Sequence, residues 1–171
     1  MAIIKSVNGV KPEFGEGCWM AENAVITGDV IMGKGCSLWF NAVVRGDVHT
    51  VRIGDNVNVQ DNAVIHATYK QAPTSIGNNV SIAHGAIVHG CTIEDNVLIG
   101  MGAIIMDGVH IESNCIIAAG AVVTKGTRVE SGSVYGGMPA KKLKSIDPSL
   151  LEGEVQRISS SYMMYASWYD E

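Results

Sequence analysis

Three histidines define the chemistry that this chain could perform. His66, His84 and His89 lie close together near the middle of the sequence. Imidazole suits zinc, iron and cobalt, and a catalytic zinc site typically has three protein ligands and one open position. A metal site that activates water is therefore the first hypothesis. Whether the three side chains converge depends on the elements that carry them.

A six-residue repeat carries these histidines. From residue 53 to residue 134, apart from irregular hexads at Ile65 and Val88, the first residue of each hexad is Ile or Val, the fourth is Asn or Gly, and the fifth is small or β-branched. An aliphatic first residue points into a core, and Asn and Gly tolerate the positive φ of a tight corner. Three hexads make one triangular coil, and coils stack as parallel strands about 4.8 Å apart. The sequence predicts an all-β fold, a left-handed parallel β-helix of about six coils, with a C-terminal α-helix.

We interpret residues 1–171 as a single domain, because 47% hydrophobic residues in a chain of this length support one sizeable core. The β-helix is predicted over 14–135. Residues 136–147 are predicted to be a breaker, since Gly136-Gly137-Met138-Pro139 is a poor continuation of a strand ladder. Asp147-Pro148 is a typical helix start, so a helix over 148–168 is expected to cover one face of the prism.

Counting coils by hexads places the candidate ligands in two columns. Arg45, His66 and His89 are second positions of equivalent hexads in three successive coils. At strand spacing, the rings of His66 and His89 can converge on one cation. Asp61 and His84 are third positions on the preceding face, one turn apart, and form the second column.

His84 lies on a different side of its own coil from His89, so it cannot easily reach a cation held by the first column. The simplest solution is another subunit, because prisms packed around a three-fold axis would bring His84 of one chain to the histidines of its neighbour. The hypothesis is a homotrimer with one three-histidine metal site per interface. The alternative is that His66, His84 and His89 are ordinary surface residues without a ligand role. No role is assigned to His49 or His110.

Several short segments of the chain resemble those of a known protein family. The segments Arg45-Gly46-Asp47, Gln60-Asp61, His66 and 84–90 are similar, in this order, to those of the γ-class carbonic anhydrases. The resemblance covers essentially the whole chain. The hexads and the turn Met138-Pro139-Ala140-Lys141 are also shared with hexapeptide acyltransferases and are less specific.

The resemblance implies a resident metal ion, Zn²⁺ or else Fe²⁺ or Co²⁺. His66 and His89 of one chain and His84 of the next would bind it. The substrate pair would be CO₂ and bicarbonate.

The same resemblance implies roles for four further residues. Gln60 would hydrogen-bond the metal-bound water and orient it. Arg45 and Asp61 would form a charged link across the trimer interface, with Asp47 close to it. Charges buried between subunits are costly unless they are paired, which explains the presence of both signs.

The mechanism that the resemblance implies is attack of hydroxide on CO₂. A divalent cation lowers the pKa of a bound water to about 7, a value taken from carbonic anhydrase chemistry itself. In the best-characterised branch of the family, one glutamate follows the Arg-Gly-Asp segment and another lies on an acidic loop. Here Val48 follows that segment, and the loop 67–74 has no carboxylate. Slow proton transfer is therefore expected, unless Tyr162 compensates.

Two alternatives remain open. One is a metal-stabilised trimeric protein with an accessory or thioesterase-like role. The other is a CoA-dependent acyltransferase, in which Lys141 and Lys142 would bind the CoA phosphates.

Composition limits the other classes of function. A net charge of −5 argues against nucleic-acid binding, and no apolar run suits a membrane span. The N-terminus lacks a signal-peptide pattern, and the cysteines lack Cys-x-x-Cys spacing. A cytoplasmic protein with reduced cysteines is therefore expected. These cysteines are Cys18, Cys36, Cys91 and Cys115.

Overall fold

The chain folds as a parallel β-solenoid with a C-terminal helical segment. A computed structural model describes residues 1–169. Short strands stack in register into about 7 turns, which confirms the predicted β-helix and adds one turn to the predicted number. The N-terminal segment explains much of this difference, because Ile3–Lys5 pairs in parallel with Val25–Met32 and extends the stack beyond residue 14.

Within residues 1–169 the strands are numbered in chain order. They are β1 (Ile3–Lys5), β2 (Glu13–Phe14), β3 (Trp19–Met20), β4 (Val25–Met32), β5 (Ser37–Leu38), β6 (Val43–Ile53), β7 (Asn58–Val59), β8 (Val64–His66), β9 (Thr74–Ile76), β10 (Ser81–Ile82), β11 (Ile87–His89), β12 (Thr92–Ile93), β13 (Val97–Ile99), β14 (Ile104–Ile105), β15 (His110–Ile111), β16 (Cys115–Ile117), β17 (Val122–Val123), β18 (Arg128–Val129), β19 (Ser133–Gly137) and β20 (Ala140–Ser145).

The corners follow the fourth position of the hexads. Asn and Gly at these positions adopt positive φ, for example 58° at Asn96 and 65° at Gly102. Four asparagines also form a ladder along one corner, in which each Nδ2 donates to the Oδ1 of the next residue at 3.2 Å. The ladder runs through Asn56, Asn79, Asn96 and Asn114. Left-handed backbone and side-chain stacking together select asparagine here.

The first positions of the hexads form the core. Ile82, Ile99 and Ile117 pair in parallel register and are 0% exposed, as are most of their counterparts on the other faces. Three of the four cysteines are buried, while Cys18 is half-buried. A narrow prism filled by aliphatic side chains holds each coil, and hence each outward-facing residue, in a fixed register.

The turn region 136–147 contains a strand. β19 and β20 form an antiparallel hairpin with the cis Met138–Pro139 peptide at its turn. The reversed strand ends the parallel stack at that edge. The sequence predicted a simple breaker over residues 136–147. The structure instead ends the ladder there with a paired antiparallel strand.

The predicted C-terminal helix is confirmed, with an irregular middle. It comprises α1 (Pro148–Leu150), a π-helical stretch (Leu151–Gln156) and α2 (Arg157–Ser167). Asp147 caps it by accepting a hydrogen bond from the Leu150 N–H at 2.9 Å. Val155, which is 0% exposed, packs against the solenoid face. No helix within residues 1–169 is long and apolar enough to cross a membrane, and the expected cytoplasmic location stays a prediction.

Candidate metal centre

His66 and His89 face each other at the end of two paired strands. β8 and β11 pair in parallel with His66 opposite His89, as the coil count predicts. The ring centroids are 5.1 Å apart, and His66 Nδ1 lies 3.1 Å from His89 Nε2. The two imidazoles thus present one nitrogen each to the same small volume.

A carboxylate fixes the orientation of His89. Its Nδ1 lies 2.6 Å from Asp107 Oδ1, and Asp107 also accepts a hydrogen bond from Thr68 Oγ1 at 2.6 Å. Burial raises the pKa of Asp107, but the hydrogen bonds from Thr68 and His89 outweigh burial and lower it overall. An ionised Asp107 keeps the proton of His89 on Nδ1, so the lone pair of Nε2 faces His66.

His66 has two partners at its other nitrogen. His66 Nε2 lies 3.0 Å from Asp47 Oδ1 and 3.0 Å from Arg45 Nη2. Asp47 only accepts and Arg45 only donates, so they favour opposite tautomers. In the tautomer that donates to Asp47, the Nδ1 lone pair points at the lone pair of His89 Nε2. In the other tautomer, which accepts from Arg45, His66 Nδ1 can donate to His89 Nε2, and the contact is then a hydrogen bond between the rings. The first tautomer suits a cation between the two nitrogens.

His84 belongs to a separate column, as predicted. Its Nδ1 lies 2.8 Å from Asp61 Oδ2, and its side chain is 48% exposed. The carboxylate lies beside Nδ1, and among residues 1–169 no hydrogen bond is made to Nε2. Among residues 1–169 of one chain, no three His, Cys, Asp or Glu side chains are grouped so that they could hold a metal ion.

Gln60 is held beside His84 by a chain of amide hydrogen bonds. It is 3% exposed, and its Nε2 donates to Asn58 Oδ1 at 2.9 Å. Asn58 Nδ2 in turn donates to Ser81 Oγ at 2.8 Å. Gln60 and His84 line one cavity of about 450 Å³, with Tyr162 from α2.

The charged residues pair within the chain. Arg45 Nη2 lies 3.3 Å from Asp47 Oδ2, with side chains 45% and 27% exposed. Burial raises the pKa of Asp47, but the hydrogen bond from His66 and the charge of Arg45 bring it below its usual value. Asp61 contacts His84 rather than Arg45 of its own chain, so the expected link between Arg45 and Asp61 stays a prediction about an interface.

Tyr162 approaches the site but is poorly suited to accept a proton. Burial raises the pKa of its phenol to about 12, and Asp61 and Tyr165 add to the rise. At neutral pH Tyr162 is therefore a hydrogen-bond donor. If Tyr162 compensates for the glutamates that this chain lacks, it can do so only by donating a hydrogen bond and not by accepting a proton.

The residues left without a role lie in other contacts. His49 Nδ1 accepts a hydrogen bond from the Thr50 N–H at 2.8 Å, and His110 pairs with Glu94 at 2.7 Å. Lys142, one of the two lysines considered for CoA, pairs with Glu130 at 2.8 Å.

Asp107 is the site residue that sequence reasoning missed. It lies in the coil after His89, one position further along its hexad than His89. The sequence does place an acidic residue one coil beyond a candidate ligand and diagonal to it. To predict the contact, however, the direction of the side chain must be known as well as the strand register.

We expect Asp107→Asn to weaken metal binding by about 10- to 100-fold, because asparagine cannot hold the His89 proton as a carboxylate does. The measurement is metal affinity by competition with a chromophoric chelator. Glu94→Gln is the matched control, since it changes the carboxylate partner of His110 in the same way. Equal affinities for both variants would show that Asp107 does not support a ligand.

Comparisons with known proteins agree with this architecture. Residues 90–125 match the family model described as bacterial transferase hexapeptide (six repeats). A carbonic anhydrase from Geobacillus kaustophilus is 34% identical over 98% of this chain and 91% of its own length. Gamma carbonic anhydrase 1, mitochondrial, from Arabidopsis thaliana is 43% identical over 91% of this chain. The matched region is 57% of that relative's length.

A solved structure of a hexapeptide transferase family protein from Anaplasma phagocytophilum superposes with a TM-score of 0.92. It is 36% identical and covers 98% of both chains. The fold and the His66–His89 pair together define a hexapeptide-repeat solenoid with two facing imidazoles. The chain belongs to the γ-class carbonic anhydrase family.

Proposed function

We propose that the chain hydrates CO₂ to bicarbonate at a metal centre shared between the subunits of a homotrimer. The observation that carries the proposal is the 3.1 Å separation of His66 Nδ1 and His89 Nε2. Two zinc ligands at 2.0–2.1 Å in tetrahedral geometry would be about 3.3 Å apart. The donor pair therefore fits a metal ion, and its chemistry suits zinc, iron or cobalt.

The third ligand would be His84 of a neighbouring subunit. Within one chain His84 lies beside Asp61 and its side chain is 48% exposed. Residues 1–169 make no hydrogen bond to its Nε2. A histidine prepared in this way, yet on a separate column from the other two, supports a site completed by assembly. A closed ring of three heterologous contacts would give one site per subunit.

A divalent cation in this site would supply Lewis acidity, which lowers the pKa of a bound water to about 7, as carbonic anhydrase itself illustrates. The chain's own residues prepare the surroundings. Asp107 holds the proton of His89 on Nδ1, and Asp61 lies 2.8 Å from Nδ1 of His84. Gln60, buried and anchored by Asn58, would orient the water through its amide oxygen.

The export of protons limits the expected rate. Hydration of CO₂ releases one proton for each bicarbonate formed. Val48 and the loop 67–74 offer no carboxylate, and Tyr162 is protonated at neutral pH. Hydration should therefore be slow and should accelerate with the concentration of external buffer.

The test has two parts. Metal content is measured on protein purified without chelator or affinity-tag metal, and CO₂ hydration is then followed by stopped flow at increasing buffer concentration. The proposal expects about one zinc, iron or cobalt ion per chain and a buffer-dependent rate. Metal without hydration would favour a metal-stabilised accessory protein, and protein that binds no metal on reconstitution would contradict the proposal.

The acyltransferase alternative has weaker support. It is favoured by the hexapeptide transferase relative of the same fold. However, Lys142 is engaged by Glu130 in this chain. An acyltransferase also has no need of two imidazoles that face each other, each with a carboxylate behind it.

A further inference from the structure

A trench runs under helix α2 and ends beside His84. Its floor is formed by second positions of equivalent hexads in four successive coils, which change from Gln60 to the small residues Ala83, Gly100 and Ala118. These four residues span three strand spacings, or about 14 Å. The small side chains leave room below the helix, and the resulting cavity has a volume of about 450 Å³.

Most of the trench is apolar. Leu98, Met101, Ile116 and Ile158 of α2 line it, and the ion pair of Arg157 with Glu154 also borders it. A long, narrow cavity with aliphatic walls suits a linear alkyl chain. It is much larger than CO₂ requires.

The end at Gln60 is polar. Gln60 is 3% exposed and its Nε2 is used by Asn58. Its Oε1 has no hydrogen-bond partner within the described residues, although the side chain borders the cavity. Tyr162, whose phenol stays protonated at neutral pH, lines the same cavity and can donate. A hydrogen-bond acceptor without a partner among the described residues and a donor thus line the same cavity.

We propose that this trench binds a linear aliphatic carboxamide. The amide N–H of the ligand donates to Gln60 Oε1, its carbonyl accepts from the Tyr162 hydroxyl, and its alkyl chain lies over Ala83 and Gly100. The inference goes beyond CO₂ hydration and extends the ligand range of the same site. It depends on the cavity and not on a bound metal, so it is tested on metal-free protein.

The experiment titrates butanamide, pentanamide and hexanamide into metal-free protein labelled with ¹³C-methyl methionine. The Met101 methyl resonance, assigned with Met101→Leu, reports binding. Affinity should rise by about three- to fourfold for each added methylene, because the burial of one methylene contributes about 0.8 kcal/mol of transfer free energy. Methyl pentanoate, which has as many heavy atoms as hexanamide but no N–H, should bind more weakly.

Ala83→Leu, which fills the trench beside Gln60, should reduce hexanamide affinity by about tenfold or more. Ile158→Trp fills it from the helix side and serves the same purpose if Ala83→Leu does not fold. Thr124→Leu is the matched control, since Thr124 is an exposed second position on another face. No shift at Met101, no dependence on chain length, or unchanged binding in the filled variants would overturn the proposal.

Discussion

Replacement of His84 by alanine is expected to empty every metal site while the solenoid stays folded. The His84 side chain is 48% exposed and contacts Asp61, so its loss leaves no cavity in the core. Loss of a residue that hydrogen-bonds a metal ligand typically costs about 10- to 100-fold in metal affinity, and loss of the ligand itself should cost more than about 100-fold.

The measurement is metal content per chain by mass spectrometry, with far-UV circular dichroism as the check on the fold. His110→Ala is the control, because it removes another partly exposed histidine that pairs with a carboxylate. We expect the control to keep its metal. A His84→Ala protein with its full complement of metal would refute the assignment of His84 as a ligand.

Ile99→Ala is expected to produce the largest loss of stability. Ile99 is 0% exposed and lies between Ile82 and Ile117 in one inward column. The coils above and below cannot move together without breaking their ladders, so the removed methyl groups leave a cavity. Truncations of this kind cost about 2–5 kcal/mol in free energy of unfolding.

Denaturant unfolding at one fixed protein concentration measures this change, since assembly makes apparent stability depend on concentration. Ile104→Ala is the control, because Ile104 is 36% exposed on the outer surface. The free energy of unfolding of Ile104→Ala should differ from that of the unmodified protein by less than about 1 kcal/mol. If both variants lost a similar free energy of unfolding, the inward column of isoleucines would not be the main source of core stability.

The sequence was sufficient for the register because the repeat leaves little choice. Ile at first positions and Asn or Gly at corners have separate physical requirements, burial and positive φ, that coincide once per hexad. A slip of one residue would bury Asn96 or expose Ile99. The opposition of His66 to His89 and of Asp61 to His84 follows from that register alone.

Other features depend on contacts that a period does not encode. The pairing of His89 with Asp107 joins residues whose backbones are in different columns, and it requires a side-chain rotamer. The hairpin of β19 and β20 reverses the chain after the repeats have ended. The π-helical stretch at Leu151–Gln156 likewise reflects packing of the helix on the solenoid, with Val155 buried.

The shared site is tested most directly by mixing subunits. His84→Ala and His89→Ala chains each lack one ligand and should each be free of metal. When the two chains are co-expressed and assemble randomly, about one quarter of the interfaces of a trimer recover all three histidines. We therefore expect the mixed assemblies to hold about one quarter of the metal of the unmodified protein. Mixed assemblies that recover no metal, although both chains are present in one oligomer, would contradict a site built from two subunits.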